Sequence, residues 1–241
     1  MLKSLQKAFK VKEVRDRLLY TFMMLVVIRI GCCLPIPGVD PSYLHDFFSN
    51  LQSSGMGFFN AITGGSFSSM SIFALSITPY ITSSIIMQLL TIAIPKLEEM
   101  QKDGEDGRKK IAEYTRYLTV GLALFESCAM AVGLGGKGLL LEDHRNVWGY
   151  LTVVAAMTAG SALLMWIGER ITDNGVGNGI SIVLLINIVS GTPQDMMTLY
   201  ERFMAGKSVA VATVACIIVL AIIIAIFVFV IILNDAERRI P

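Results

Sequence analysis

The sequence predicts an all-α polytopic membrane protein with six transmembrane helices and one re-entrant half-helix. Three observations carry this prediction. The 241 residues are 54% hydrophobic and only 16% charged, whereas soluble domains carry about 25% charged residues. Several apolar stretches approach the roughly 20 residues that a spanning helix needs. Lysine and arginine are also concentrated in alternate loops, as a defined membrane topology requires.

The chain begins with a basic amphipathic segment, residues 1–17, which we expect to lie on the cytoplasmic membrane surface. Leu2, Leu5 and Phe9 can share one side of a helix while the lysines point outward. The first spanning helix is predicted over residues 18–34, because a Pro-Ile-Pro-Gly sequence follows this apolar run. The run is too long for the apolar region of a signal peptide and has no small-residue cleavage site after it, so we expect no cleaved signal.

Residues 57–94 give the strongest indication of a pathway through the membrane. Residues 57–71 contain Gly64, Gly65 and several serines and threonines, so they are too short and too polar to span a bilayer. Residues 72–94 are long enough and contain Pro79, which predicts a kinked spanning helix. A polar half-helix before a spanning helix predicts a re-entrant segment. Such a segment is tolerated only where protein buries it or where it lines a water-filled cavity.

Four further spanning helices are predicted in the remainder of the chain. They cover residues 118–134, 147–167, 180–191 and 209–233, and the third of these is short unless it extends to residue 197. A highly charged loop, residues 95–117, precedes them. The Gly-Val-Gly-Asn-Gly sequence at 175–179 lacks the lysine and the preceding strand of a phosphate-binding loop, and it predicts a tight turn before a helix.

The basic residues predict the orientation of these helices. Fifteen Lys and Arg residues fall in the N-terminal arm, in alternate loops and at the C-terminal end, and four fall on the opposite side. The positive-inside rule then puts both ends of the chain in the cytoplasm, with six crossings. Arg29 and Glu126 are charged residues inside apolar stretches. Either they pair with each other or with neighbouring helices, or they line a polar pathway.

The sequence shows no grouping that matches an enzyme active site or a metal site. His45 and His144 lie in separate loops, and the four cysteines lie in apolar stretches without metal-binding spacing. We therefore predict no enzymatic activity and no cofactor. The charged run at residues 102–110 is either a solvated turn or a docking surface for an acidic partner or RNA phosphate.

Several stretches, in their order along the chain, resemble the SecY family of protein-conducting channels. They are RIGCCLPIPGVD at 29–40, GGSFSSMSIFALSITPYITSSIIMQLL at 64–90, EDGRKKIAEYTRYLT at 105–119, MWIGERITDNGVGNGISI at 165–182 and ERRIP at 237–241. The resemblance covers almost all of residues 10–241. It implies a passive pore for unfolded polypeptides, built from ten helices in two inverted repeats. This chain would then supply the first repeat, residues 18–197, and a sixth helix with the start of a cytoplasmic loop, residues 198–241.

The resemblance also implies roles for individual residues around the pore. The implied pore ring consists of four aliphatic residues: Ile77, Ile81, Ile180 and Leu184. Leu184 replaces a commoner isoleucine but stays bulky and aliphatic. The implied plug, which closes the pore from the outer side, covers about residues 56–69 and includes Phe58, Phe59, Gly64, Gly65 and Phe67.

Two further surfaces are implied by the same resemblance. One wall of the lateral gate, through which signal sequences and spanning helices enter lipid, includes Thr78, Ser84, Met87 and Gln88. The docking surface for cytoplasmic partners includes Arg108, Lys109 and Lys110. The implied partners are the small membrane subunits SecE and SecG, the SecA motor or a ribosome, signal sequences and nascent polypeptides, and the missing C-terminal half of the channel. The implied location is the inner (plasma) membrane of a bacterium, with a cytoplasmic N-terminus.

Two other interpretations remain open at this point. A secondary transporter also uses broken helices and inverted repeats, but it should carry a pair of acids, or an asparagine and an acid, at the helix break. The stretch around residues 72–94 offers only Ser, Thr and Gln as polar side chains of that kind. The chain could also be an inactive half-channel fragment, because the helices that would complete the pore are missing.

Overall fold

The structure is a computed structural model, and it describes residues 11–40, 43, 47, 60–135, 138, 140–141, 145–203 and 209–235. The helices in these ranges are α1 (Lys12–Cys33), α2 (Thr78–Ala93), α3 (Pro95–Lys102), α4 (Glu105–Gly135), α5 (Val147–Asn174), α6 (Gly179–Phe203) and α7 (Val209–Asp235). The chain divides into two compact units, Met1–Ser190 and Gly191–Pro241. The implied ring, plug, gate and docking residues all belong to the first unit.

Among the described residues, three helical segments are long and apolar enough to cross a membrane: Glu105–Leu134, Val147–Asn174 and Cys216–Asn234. A fourth is added if α2 and α3, which meet at 101°, count as one broken span. The apolar part of α6, Gly179–Pro193, is shorter. The prediction of an all-α protein with several apolar spans is confirmed, whereas the number of six crossings remains a prediction.

Several helices extend beyond the bounds predicted from hydropathy. α1 begins at Lys12, so the end of the predicted surface segment and the first predicted span form one continuous helix. α4 begins at Glu105 rather than at residue 118, and α5 continues to Asn174 rather than ending at residue 167. Hydropathy reports only the apolar part of a helix. Charged residues such as Glu, Lys and Arg are good helix formers and continue the same backbone hydrogen bonding.

The prediction of a helix over residues 72–94 is wrong for its first six residues. Residues 72–77 form turns, and α2 begins only at Thr78, with Ile77 as its N-cap residue. Pro79 lies in the first turn of α2. At that position its missing N–H would have had no intrahelical acceptor and its fixed φ suits a helix start, so Pro79 begins the helix instead of kinking it.

The prediction of a loop over residues 95–117 is wrong as well, because most of these residues are helical. α3 and α4 are joined by a short turn at residues 103–104. Gly104 has a φ of 81°, a left-handed value that favours glycine. Gly107 contacts the carbonyl oxygen of Met100 so closely that a Cβ atom would collide with it. The charged run at residues 102–110 therefore forms a tight corner between two helices.

Glycines on α1 and α5 let the first unit pack closely around the segment that precedes α2. A Cβ atom on Gly160 of α5 would collide with the carbonyl oxygen of Ile72. A Cβ atom on Gly31 of α1 would collide with the ring of Phe73. Small residues at such contacts are the usual means by which membrane helices approach their neighbours.

Replacing Gly160 with alanine should destabilise the protein, because the contact with Ile72 involves backbone that cannot rotate away. We expect a loss of about 1–3 kcal/mol in the free energy of unfolding, as for other overpacked sites. Thermal unfolding of the purified protein in detergent measures it. The matched control is Gly121→Ala in α4, where a Cβ atom meets nothing within 4 Å. That change should leave the midpoint unchanged or raise it, and equal destabilisation by both variants would contradict the assigned contact.

Candidate functional site

The four residues implied as a pore ring lie together in one apolar cluster, which we call the ring cluster. Its buried members are Ile28, Cys32, Phe73, Ile77, Leu164, Ile167, Ile171 and Val183. Ile81, Ile180 and Leu184 pack against these residues and stay half-buried. The starts of α2 and α6 thus contribute to the same cluster, although about 100 residues separate them along the chain.

Ile77 differs from the other three because none of its surface is exposed. A Cβ atom on Gly168 of α5 would lie 3.4 Å from Cδ1 of Ile77 and 2.7 Å from Cδ1 of Ile180. Both isoleucines therefore rest on the bare backbone of α5 at this glycine. Ile77 is therefore buried within the cluster, whereas Ile81, Ile180 and Leu184 keep part of their surface accessible.

The turn before α6 fixes the direction of Ile180 and Leu184. Gly177 has a φ of 71°, and the side-chain oxygen of Asn178 accepts a hydrogen bond from the backbone N–H of Ile180 at 3.0 Å. Gly179 lies against the carbonyl oxygen of Gly168 with no room for a Cβ atom. The predicted tight turn at residues 175–179, followed by a helix, is confirmed.

The half-helix predicted over residues 57–71 is not observed in the described residues. Phe58 and Phe59 of the implied plug lie outside the described residues. Residues 60–77, which we call the irregular segment, form a short helical stretch at 60–62 followed by turns. Gly64 and Gly65 have φ values of 66° and 81°, which explains why glycine is suited to both positions. Phe67 is only 4% exposed and is part of a second apolar cluster.

The backbone of the irregular segment finds hydrogen-bond partners in the residues that follow α1. The N–H of Ile36 donates to the carbonyl oxygen of Met70, and the N–H of Ile72 donates to that of Leu34, both at 3.0 Å. Within the segment, the N–H of Ser68 donates to the side-chain oxygen of Asn60 at 3.0 Å. These bonds satisfy groups that helical structure would otherwise satisfy, as irregular backbone inside a membrane requires.

A buried polar network, absent from the sequence prediction, links α1, the irregular segment and α6 around Asn187. This side chain is 1% exposed, and its Nδ2 donates to Oγ of Ser76 at 3.0 Å. Sγ of Cys32 lies 3.9 Å from its Oδ1, a weak hydrogen bond. The sequence could have indicated this residue, because Asn187 interrupts the apolar run 182–189. A polar side chain inside a membrane costs free energy unless it finds a partner.

Arg29 joins the same network through the next turn of α6. Its guanidinium donates to Oγ of Ser190 at 2.8 Å, and that hydroxyl donates to the backbone oxygen of Asn187 at 2.6 Å. Arg29 is thus partnered by a neighbouring helix. No ion pair joins it to Glu126 within the described residues, and Glu126 lies half-buried on α4.

The four residues implied as a gate wall all lie on α2 but do not share one environment. Gln88 is exposed, and its side-chain amide lies 3.4 Å from Oγ of Ser84, to which it donates. Thr78 is half-buried, whereas Met87 is only 7% exposed. Ser84, Met87 and Gln88 line one side of a cavity of about 230 Å³, and Arg108 of α4 lies on another.

The implied docking residues Arg108, Lys109 and Lys110 lie exposed on the first turns of α4. Nζ of Lys109 is 3.9 Å from Oδ1 of Asp106, in a pair so exposed that it contributes little to stability. Further along α4, Nε of Arg116 donates to Oε1 of Glu169 of α5 at 2.8 Å. The α3–α4 corner therefore presents three cations from a helix that is attached to its neighbour.

Comparing alanine at Gly64 and at Gly65 separates backbone strain from packing, because both residues have left-handed φ values. A Cβ atom on Gly64 would lie 2.7 Å from the carbonyl oxygen of Asn187, whereas one on Gly65 meets nothing within 4 Å. We expect Gly64→Ala to destabilise the protein by about 1–3 kcal/mol more than Gly65→Ala. Thermal unfolding midpoints of the two variants give the comparison. Equal midpoints would mean that the irregular segment does not pack on α6.

Comparisons with known proteins identify relatives of this chain. The SecY family model matches residues 71–241. The chain is 41% identical over 228 residues to a protein translocase subunit SecY of Pseudomonas aeruginosa, covering 95% of this chain and 50% of that protein. It is 39% identical over 244 residues to the corresponding subunit of Halalkalibacterium halodurans, covering all of this chain and 56% of that protein. The chain thus spans about half the length of the curated relatives it matches.

A solved structure has a similar fold. It is described as Sec61 in the canine ribosome-channel complex from the endoplasmic reticulum, and it aligns with a TM-score of 0.51 at 19% sequence identity. The alignment covers 94% of this chain and 49% of that one. At this level of identity the likeness concerns the fold.

Proposed function

The chain belongs to the SecY family, and on that premise we propose that it forms part of a channel that passes unfolded polypeptides across and into the membrane. The observation that carries the proposal is that Ile81, Ile180 and Leu184 all pack against the ring cluster. Each stays half-buried, and they come from the starts of two helices, α2 and α6. A half-buried aliphatic surface is what one side of an apolar constriction needs.

The chemistry of these residues suits a constriction that seals without binding its cargo. Branched aliphatic side chains hold no water, so a narrow ring of them excludes ions by dewetting. The same side chains offer no hydrogen bonds or charges that would retain a passing polypeptide. Ile77 and Gly168 support the ring from behind, since Ile77 is fully buried on the α5 backbone. We propose that the channel is passive, without catalytic activity or cofactor, and that partners supply the energy.

Residues 60–69 of the irregular segment, the described part of the implied plug, are our candidate for the plug. Beyond residue 69 the segment contributes Phe73 and Ile77 to the ring cluster. The candidate plug is held by turn hydrogen bonds, such as that from the N–H of Gly65 to the carbonyl oxygen of Asn60, rather than by a helical ladder. For such turns we expect a lower free energy of local opening than for the long helices. The implied plug residues Gly64, Gly65 and Phe67 belong to its described part.

The chain is a multi-pass membrane protein, as its family and its apolar helices indicate. We propose six crossings with a cytoplasmic N-terminus in the inner membrane of a bacterium, because the basic residues are distributed fifteen to four between the two sides. In this arrangement α1 and α6 also span, although each carries polar residues. The network of Arg29, Asn187 and Ser190 satisfies those groups inside the protein.

The remaining surfaces fit partners of the complete channel. We propose that one wall of the lateral gate is formed by four residues of α2: Thr78, Ser84, Met87 and Gln88. The exposed cations Arg108, Lys109 and Lys110 would dock SecA or a ribosome, to which they are electrostatically suited. SecE, SecG and the second half of the channel would complete the assembly, with this chain as the N-terminal half. A transporter is not favoured, because the helix break among the described residues offers Ser76 and Asn187 but no carboxylate.

Crosslinking to a stalled polypeptide tests the proposed function. Photoreactive residues are introduced at positions 81, 180 and 184 of a channel completed by the remaining helices, and a secretory chain is stalled during transport. We expect crosslinks from all three positions to the stalled chain. The control position is Leu185, which is 60% exposed on another face of α6. Crosslinks only to lipid from the three ring positions would overturn the proposal.

A second experiment tests the seal itself. Leu184→Gly should raise the resting ion conductance of the completed channel in planar bilayers, because a gap in the apolar ring admits water. Leu185→Gly is the matched control, with the same cost to the helix at the adjacent position. Conductance that rises equally in both variants would show that helix damage, and not the ring, controls the leak.

A further inference from the structure

We propose that Asn187 is a positioning residue that fastens the irregular segment to α6, through a hydrogen bond to Ser76. This inference rests on the proposed function, because it names what holds the irregular segment, whose residues 60–69 are the candidate plug, beside the ring. Nothing in the ring or gate assignment involves Asn187. The argument depends on its contacts, on the backbone of Ser76 and on the link to Arg29.

The contact between Asn187 and the irregular segment is buried on both sides. Asn187 is 1% exposed and Ser76 is 0% exposed, and the distance from Nδ2 to Oγ is 3.0 Å. Gly64, twelve residues earlier in the segment, packs against the backbone of the same asparagine. The segment therefore touches this one residue of α6 at two separate points. Because water cannot replace a buried bond of this kind, losing one partner leaves the other unsatisfied.

The backbone of the irregular segment is strained where this bond holds it. Ser76 has a φ of 54° and Met70 a φ of 40°, values that residues other than glycine rarely adopt. Such conformations persist only when their surroundings hold them. The hydrogen bond that Asn187 donates to its hydroxyl ties Ser76 to α6. The strain thus favours departure of the segment, and Asn187 opposes it.

The same residue is connected to α1. Oγ of Ser190 donates to the backbone oxygen of Asn187 at 2.6 Å and accepts from Arg29 at 2.8 Å. Arg29 and Asn187 are therefore linked through one hydroxyl group. A movement of α6 away from α1 would break the bond to Arg29 and loosen the turn that holds Asn187, so release of the segment is coupled to the spacing of these two helices.

Hydrogen exchange tests the inference in the completed channel. In Asn187→Leu, which keeps a similar volume without hydrogen-bonding groups, amides of residues 60–77 should exchange about tenfold faster, as expected when a buried polar partner is left unsatisfied. Amides of α4 should be unchanged. Resting ion conductance, measured on the same samples, should rise. If Asn187→Leu does not fold, Asn187→Ser removes the amide with less change in polarity and should show the same effect.

Second-site rescue separates positioning from general damage to α6. Ser76→Gly removes the hydroxyl that needs a partner and accepts a φ of 54° without strain. In the double variant, exchange of residues 60–77 and conductance should return towards the unsubstituted values. Ser181→Ala, at an exposed position of α6, serves as control and should change neither.

The outcomes distinguish this inference from the proposed function. Unchanged exchange in Asn187→Leu, or faster exchange that Ser76→Gly does not rescue, would overturn the role of Asn187 while leaving the channel proposal to its own test. Faster exchange with rescue but resting conductance at baseline would support the fastening and overturn the assignment of the irregular segment as a seal. Changes in both, with rescue of both, support the inference in full.

Discussion

Backbone N–H and C=O groups that lack partners are costly in a membrane interior, and this constraint governs how residues 60–77 are held. A helix satisfies its own groups, but a chain of turns must find partners elsewhere. Here the partners are the residues after α1, which bond to Met70 and Ile72, and Asn187, which bonds to Ser76. The irregular segment keeps these turns because three helices, α1, α5 and α6, pack around it.

The three helices can approach the irregular segment closely because a glycine lies at each contact. The ring of Phe73 packs against Gly31 of α1, and the carbonyl oxygen of Ile72 packs against Gly160 of α5. Gly64 lets the irregular segment approach α6 closely. A glycine also allows close packing in the ring cluster, where Ile77 and Ile180 lie against Gly168 of α5. Packing and hydrogen bonding therefore cooperate. A side chain at any of these glycines would separate groups whose bonds depend on contact.

At the charged start of α4, helix length exceeds membrane thickness. α4 has 31 residues, and at about 1.5 Å per residue it is longer than the hydrocarbon core of about 30 Å. Its charged first turns therefore extend beyond the apolar layer. The bond between Arg116 and Glu169 attaches this extension to α5, and Arg108, Lys109 and Lys110 lie exposed just after the glycine corner at residues 103–107.

The sequence by itself determined the all-α class, the apolar stretches of the longer helices and the turn before α6, because hydropathy and glycine positions are local properties. Family resemblance, rather than spacing, implied a pore ring of Ile77, Ile81, Ile180 and Leu184, whose role remains a proposal. Only the tertiary structure decided that residues 72–77 are turns, that Ile77 and Met87 are buried, and that Arg29 is partnered by Ser190. Each of these depends on residues far apart along the chain, such as Ser76 and Asn187. Local pattern carries no information about which distant backbone will satisfy a polar group, and in a membrane interior that satisfaction decides the conformation.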